Sequence, residues 1–388
     1  MLERGSKPGW KRVKFGELAE NVNDRVDDPR SAGVDRYVGL EHLDADNLKL
    51  RRWGAPTDVE ATKLRFRIGD IIFGRRRAYQ RKLAVADFNG ICSAHAMVLR
   101  ERPGVIVPGF LPFLMQSDVF MRRAVAISVG SLSPTINWTS LREEIFVLPP
   151  PSEQQRMCEL LNSTSQAADA ATDLAVSASL LARSWLKEEF ARISHSHPTV
   201  VADVVLDRLT VGIVVKPANW YVTPPAGVPA LRSLNVLPNR LVLDELVHIS
   251  DAGHTENRKS ELRPGDVAIV RTGRPGDAVV IPDGVGRLNC IDLIIARPSD
   301  RLLPSYLSAF LNSSAGRSQF LAGSAGTAQQ HFNVSAFRKL RIPLPRLEEQ
   351  RAVVDTAAGF ESAAASAKAR AASIRQIHEL TLAKFGEM

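Results

Sequence analysis

Cysteine is scarce: Cys92, Cys158 and Cys290 are the only three in 388 residues. So sparse and odd a set builds no disulfide framework, and it points to a reducing, cytoplasmic location. No segment approaches the ~18 unbroken apolar residues of a membrane span. The opening Met1-Leu2-Glu3-Arg4-Gly5 lacks the apolar core of a signal peptide. Catalytic signatures are missing as well. There is no G-x-x-x-x-G-K-[ST] loop for nucleotide phosphates, no G-x-S-x-G elbow and no C-x-x-C pair. There is no Asn-Pro-Pro-aromatic or Asp-Pro-Pro-aromatic segment for amino-group methylation, and Thr223-Pro224-Pro225 lacks both the polar residue and the aromatic.

The residual candidates for chemistry are weak. His195-Ser196-His197 has no carboxylate or cysteine beside it and reads as a solvated linker, not a metal site. Asp58, Glu60 and Lys63 resemble a nuclease constellation only by chance. Cys92 and Cys290 stand at corresponding places, but His95 follows one and Asp292 the other, so no common general base exists. Buried small apolar residues account for both cysteines better than nucleophiles. The expectation is a chain with no catalytic, cofactor-binding or metal-binding residues of its own.

What the chain does have is a duplication. Gly130, Asn137, Leu148-Pro149 and Glu153-Gln154 recur as Gly326, Asn333, Leu344-Pro345 and Glu349-Gln350, each displaced by 196 residues (326 minus 130). Gly69-Asp70 and Gly265-Asp266 keep the offset, and Phe110-Leu111 corresponds to Tyr306-Leu307. So long a period is a duplicated domain and not a solenoid of ~20–50-residue repeats. Each copy is large enough to bury its own core. Two copies of one module imply two similar things being gripped.

Each copy opens with short apolar runs bounded by Gly, Pro and Asn, which read as strands: Asp70–Phe73 and His95–Leu99, then Val267–Val270 and Asp292–Ile295. A helix is expected at about 108–117 and at 304–312. Each copy then passes a Leu-Pro hinge into a long helix, with Ser152 a plausible cap for the first. From the hinge to about Phe190 there is no Pro or Gly. Met157, Thr164, Ala171, Ala178 and Trp185 recur every seven residues, with Leu160, Ala167, Leu174 and Leu181 interleaved. In the second helix Val353, Phe360, Ala367 and Ile374 recur, with Ala357, Ala364 and Ala371 between them. This is a coiled-coil seam. Two helices of ~50 Å each, paired antiparallel, would exceed the ~34 Å turn of DNA. The expected class is α+β: mixed α/β globular domains over 1–150 and 196–345, and spacer helices over 151–195 and 346–388.

The net charge is +8, which favours a polyanionic partner. Lys63, Arg65, Arg67, Arg75, Arg76, Arg77, Arg81 and Lys82 crowd one stretch, opposed there only by Asp70. Arg75, Arg76, Arg77 and Tyr79 follow a strand-like run, so they should lie on a loop or hairpin tip. An arginine fork suits phosphate or the guanine O6/N7 edge. Arg271, Thr272 and Arg274 occupy the same place in the second copy. Ser131, Ser133 and Thr135 pair with Gln329, Gln330 and His331 across the repeat, as short polar groups that could bond to base edges or phosphates. Residues matched in frame but different in these loops suit two related modules reading different sequences.

The doubled Leu-Pro-x-x-x-Glu-Gln hinge (148–154 and 344–350), with the Gly-Asp-Ile-Ile-Phe run at 69–73 and Gly-Ile-Cys-Ser at 90–93, resembles the specificity subunit of type I DNA restriction–modification systems. The resemblance covers nearly the whole chain. It implies two target-recognition domains, each reading half of a bipartite, asymmetric site in double-stranded DNA. The paired helices would hold the domains apart and dock two methyltransferase subunits, with motor–endonuclease subunits joining for cleavage. S-adenosylmethionine, ATP and Mg2+ would belong to those partners, and this chain would be non-catalytic. The competing expectations are a coiled-coil adaptor whose basic loops are incidental, and a fragment of another restriction enzyme that reads no bipartite site.

Overall fold

The computed structural model describes residues 9–323 and 332–387. The chain divides into two compact units, Met1–Thr172 with Ala369–Met388, and Asp173–Lys368. Each long helix is thus shared between the units.

In the first unit the β-branched and aromatic runs form two four-stranded sheets. One is antiparallel throughout, in the order Ala19–Val22, Met97–Glu101, Ile71–Phe73, Leu83–Val85. The other runs Arg25–Val26, Lys63–Phe66, Gly90–Ser93, Tyr37–Val38, with the last pair parallel. A ribbon of Lys11–Lys14 against Ile145–Leu148 ties the start of the unit to its hinge. Helices Phe110–Gln116 and Asp118–Ala126 cover one core, where Phe15, Phe73, Phe110, Phe120 and Phe146 are fully buried. Phe120 lies 5.3 Å from Phe15 and 5.6 Å from Phe146, ring centre to ring centre.

The second unit repeats this frame. Its first sheet has the same order, Leu206–Val211, Leu293–Pro298, Val267–Val270, Ala278–Val280. Its second sheet keeps the parallel pair, Val228–Leu231 beside Leu288–Cys290, but adds Val247–Ile249 and Tyr221–Val222 outside it. Helices Pro304–Asn312 and Ser314–Gly323 follow. The core is again aromatic: Phe190 packs 5.4 Å from Tyr306 and 5.3 Å from Phe310. Both cysteines of the sheets, Cys92 and Cys290, are fully buried, and burial pushes their thiols well up. That is the apolar role expected of them.

Hydrogen bonds repeat with the sequence. Gly69 and Gly265 turn at φ +88° and +82°, a conformation that glycine adopts without strain. The aspartate after each is buried and grips an arginine on the neighbouring strand through both oxygens: Asp70 holds Arg100 at 2.7 and 2.9 Å, and Asp266 holds Arg297 at 2.7 and 2.8 Å. Asp70, which offsets the basic run on paper, is therefore committed elsewhere.

The hinge motif has a structural reason. Gln154 is buried; its Oε1 accepts the Val107 N–H at 2.9 Å, and its Nε2 donates to the Pro149 carbonyl at 2.8 Å. Gln350 does the same, accepting from Leu303 at 2.9 Å and donating to Pro345 at 3.0 Å. Each glutamine staples the start of a long helix to the segment that precedes the unit's own covering helix.

The long helices are Pro151–Ser196 and Leu347–Ala383, of 46 and 37 residues, on the order of 70 and 55 Å long. The first starts at Pro151, without the expected Ser152 cap. Pro151 occupies the opening position, where its missing N–H costs nothing, and the Pro150 carbonyl takes the N–H of Glu153, so Ser152 is inside the helix and does not cap it. The helices pair antiparallel. In the first unit Thr164 meets His378 at 2.9 Å and Thr172 meets Arg375 at 2.7 Å. In the second, the Trp185 and Phe360 rings lie 6.0 Å apart at a tilt of 57°, and His197 lies 3.2 Å from Glu349.

The seam corrects one expectation. Met157, Thr164, Ala171, Ala178 and Trp185 face inward, as the heptad required. The interleaved inward set is Leu161, Ala168, Ala175 and Ala182, one residue beyond Leu160, Ala167, Leu174 and Leu181. Leu160, Leu174 and Leu181 are 43%, 60% and 54% exposed. Heptads alternate steps of three and four; Leu160/Leu161 and Ala167/Ala168 fit either order, and Leu174 and Leu181 favour on paper the set that is exposed. In the C-terminal helix Val353, Ala357, Phe360, Ala364, Ala367, Ala371 and Ile374 all turn inward.

Candidate nucleic-acid interface

The arginine cluster of the first unit lies in the connection between strands Ile71–Phe73 and Leu83–Val85, a hairpin as its sequence suggested. A second loop comes against it. Val129 and Thr135 close a small hairpin by mutual N–H to carbonyl bonds of 3.0 Å, leaving Gly130, Ser131, Leu132, Ser133 and Pro134 at the tip. Arg76 Nε donates to Ser133 Oγ at 2.7 Å, the Arg77 N–H to the Pro134 carbonyl at 2.7 Å, and the Ile136 N–H to the Arg75 carbonyl at 3.0 Å. Arg75, Arg76, Arg77, Ser131, Ser133 and Thr135 thus form one surface. Tyr79 and Leu132 project from it, 56% and 92% exposed.

Electrostatics separate the run into two parts. Arg81 bonds Asp46, Asp118 at 2.9 Å and the Gln116 carbonyl at 2.6 Å, and Lys82 Nζ donates to the Leu40 carbonyl at 2.7 Å. Both are spent on the fold. Lys63 likewise donates to the carbonyls of Glu60 and Ala61. Arg75, Arg76 and Arg77 form no ion pair among the described residues. Their field is felt by His95, which burial, then Arg76, Arg75 and Lys63, hold below its ordinary pKa.

The second unit builds the same crossing with other chemistry. The Phe332 N–H donates to the Arg271 carbonyl at 3.0 Å, the counterpart of Ile136 and Arg75. Arg271 is buried, and its Nη1 pairs with Asp292 at 3.1 Å; Thr272 Oγ1 donates to the same carboxylate at 3.2 Å. Arg274 reaches the carbonyls of Ser233 and Val236 and pairs with Asp277 at 3.4 Å. Gln329, Gln330 and His331 lie outside the described residues.

Two clefts open on the first unit. One, of ≈ 690 Å³, is lined by Asp46, Asp118, Asp169 and Glu379 together with Arg81 and Arg375. Four carboxylates make it a poor place for an anion. The other, of ≈ 350 Å³, lies beside the arginine loop and is lined by Asn21, Asn23, Arg25, Thr62, Arg75 and Trp138 among others. Except for Arg75, these residues carry no signal in the sequence: they are scattered, and their pattern is not repeated in the second copy. No group of three or more His, Cys, Asp or Glu among the described residues is placed to hold a metal.

No protein-family model matches the chain, and no curated protein matches it. Solved structures do. A chain from a study of complex assembly and conformational transition in the type I R-M system aligns over 98% of both chains, with a TM-score of 0.62 and 22% identity. The type I restriction-modification S subunit of M. genitalium aligns over 99% of this chain and 98% of its own, at TM-score 0.59 and 12% identity. The HsdS subunit of Thermoanaerobacter tengcongensis aligns over 98% and 97%, at TM-score 0.51 and 22% identity. At these identities the likeness is one of fold, end to end.

Proposed function

We propose that this chain is the DNA sequence-recognition subunit of a type I restriction–modification complex. One observation carries the proposal: the backbone crossing of Arg75 with Ile136 recurs as Arg271 with Phe332, while the side chains presented there differ. A shared frame holding unlike loops is what two readers of unlike half-sites need. Two identical readers related by symmetry would suit a palindrome; these suit an asymmetric, bipartite site. The type I specificity fold supports the same conclusion.

In the first unit Arg76 and Arg77 meet the duplex as unneutralised guanidinium groups. They suit phosphate oxygens or the guanine edge, with Tyr79 and the Ser131–Thr135 tip beside them. Exposed Leu132 suits the apolar methyl of thymine. In the second unit Thr272 and Arg274 stand at the corresponding place, with less free charge.

The paired helices would space the two domains and dock two methyltransferase subunits. Exposed Leu160, Leu174, Val176, Leu180 and Leu181 on the central helix give a partner apolar surface to cover. Motor–endonuclease subunits would join the assembly. S-adenosylmethionine, ATP and Mg2+ would bind those partners, in the cytoplasm, and this chain would contribute no catalytic group.

The test is co-expression with a type I adenine methyltransferase subunit with which the chain co-purifies, followed by mapping of methylated adenines. The expected result is methylation at one asymmetric motif of two short blocks separated by a fixed gap, moving to a new motif when the loops at 74–82 and 129–136 are exchanged. Methylation independent of this chain would refute the proposal.

A further inference from the structure

The ≈ 350 Å³ cleft of the first unit is not needed to hold the fold together. Asn21 stands on strand Ala19–Val22 opposite Leu99, and its side-chain amide makes no hydrogen bond among the described residues. Arg75 donates through Nη2 to the Ala94 carbonyl at 3.2 Å, yet its Nε–H is buried without any partner. Native interiors rarely leave such donors unpaired, and each instance calls for an explanation. Arg25 and Asn23, joined by a 3.4 Å hydrogen bond, and Thr62 complete the wall, with Trp138 beside them. None of the described residues lining the cleft is acidic.

The second unit shows that the frame does not require any of this. Strand pairing places Leu209 opposite Ala296, next to Arg297, where the first unit has Asn21 opposite Leu99, next to Arg100. Val334 follows Asn333 where Trp138 follows Asn137. Arg271, the counterpart of Arg75, is neutralised by Asp292. In the second copy the corresponding positions thus hold two apolar side chains and an arginine already paired with a carboxylate. The other has two cations, two amides and an unpaired donor on a lining without acids, while the Thr62 hydroxyl is spent on Asp27 at 3.1 Å.

We infer that this cleft is a phosphate-binding subsite: it takes a backbone phosphate of the DNA, with Arg75 and Asn21 as its principal donors. A cleft of ≈ 350 Å³ is roughly ten times the ~30 Å³ share of one water, so it has room for such a group. Guanidinium and amide donors without competing carboxylates match its charge. The inference rests on the DNA-recognition role proposed above. It assigns the first unit an anchoring contact that the second lacks.

The experiment compares full-length wild type with Arg75→Gln and Asn21→Asp on two duplexes, one bearing the recognised motif and one scrambled, across a series of salt concentrations. Asn21→Asp keeps the side chain's size and adds a charge that repels phosphate, so a folding defect in the arginine variant would not confound the result. The expected outcome is an affinity loss of about tenfold on both duplexes alike, with the slope of log affinity against log salt reduced by about one for Arg75→Gln. A loss confined to the recognised motif would overturn the subsite in favour of base-edge contact. Unchanged affinity and slope in both variants would also overturn it, leaving the wider role intact. Failure of wild type to bind either duplex would instead remove the recognition role itself. Tight binding of inorganic phosphate to wild type without DNA would mark a free-anion site and overturn the assignment to DNA.

Discussion

Gln154 and Gln350 illustrate how much one side chain can fix. Each is buried at a hinge, accepting a backbone N–H and donating to a backbone carbonyl. Removing such an acceptor leaves a backbone donor unpaired, at a cost of about 1–3 kcal/mol. Gln154→Met keeps the volume and loses the bonds. The expected outcome in urea unfolding is a lower midpoint for the first unit alone, with faster amide exchange at Val107; Gln350→Met should act on the second unit and Leu303. Equal stability of the variants and wild type would show that the motif is retained for another reason. The glutamines were visible in the sequence as a repeated spacing, but their bonds to Val107 and Leu303 were not. Those partners lie 47 residues away, and nothing in either segment announces the pairing.

At the scale of elements, the helix pair of the first unit contains a titratable group. His378 sits against Thr164 and near Phe113, and burial pulls it below the ordinary value of 6.5, against smaller opposing pushes from a backbone hydrogen bond at Leu161 and the charge of Glu379. The unfolded chain takes up the proton near pH 6.5, the folded chain only below it. Protonation therefore favours unfolding: stability holds above about pH 6.5 and falls as pH drops toward the lowered folded-state value. His378→Gln removes this term. The advantage of wild type over the variant in thermal midpoint should shrink from pH 7.5 to 5; a constant difference would contradict it. Both long helices were legible: the first because its heptads run without Pro or Gly from Ser152 to Ser196, the second because its heptad persists through a single Gly359. The inward set of Leu161, Ala168, Ala175 and Ala182 was not, since a step of three and a step of four are equally good when Leu160 and Leu161 are both leucine. The strands were legible as apolar runs, but the extra strands Tyr221–Val222 and Val247–Ile249 were not, being short and without a counterpart in the first copy.

For the whole molecule, the offset of 196 residues survives into the hinge hydrogen bonds and the Gly-Asp turns, slips by one at the arginines of the buried ion pairs (Arg100 and Arg297), and fails at the loops and the small cleft. Arg75, Arg76 and Arg77 could be picked from the sequence because charge is visible there. Arg81 and Lys82 looked the same and serve the fold, because sequence does not reveal that Asp46, Asp118 and the Leu40 carbonyl wait beside them. We propose that one chain reads two unlike half-sites through two unlike copies of one frame. The most direct test is selection of bound duplexes from a random DNA library by the full-length chain. The expected result is two short, different sequence blocks at a fixed separation, with unspecified base pairs between them. A single contiguous block, two identical inverted blocks, or no enrichment would contradict it.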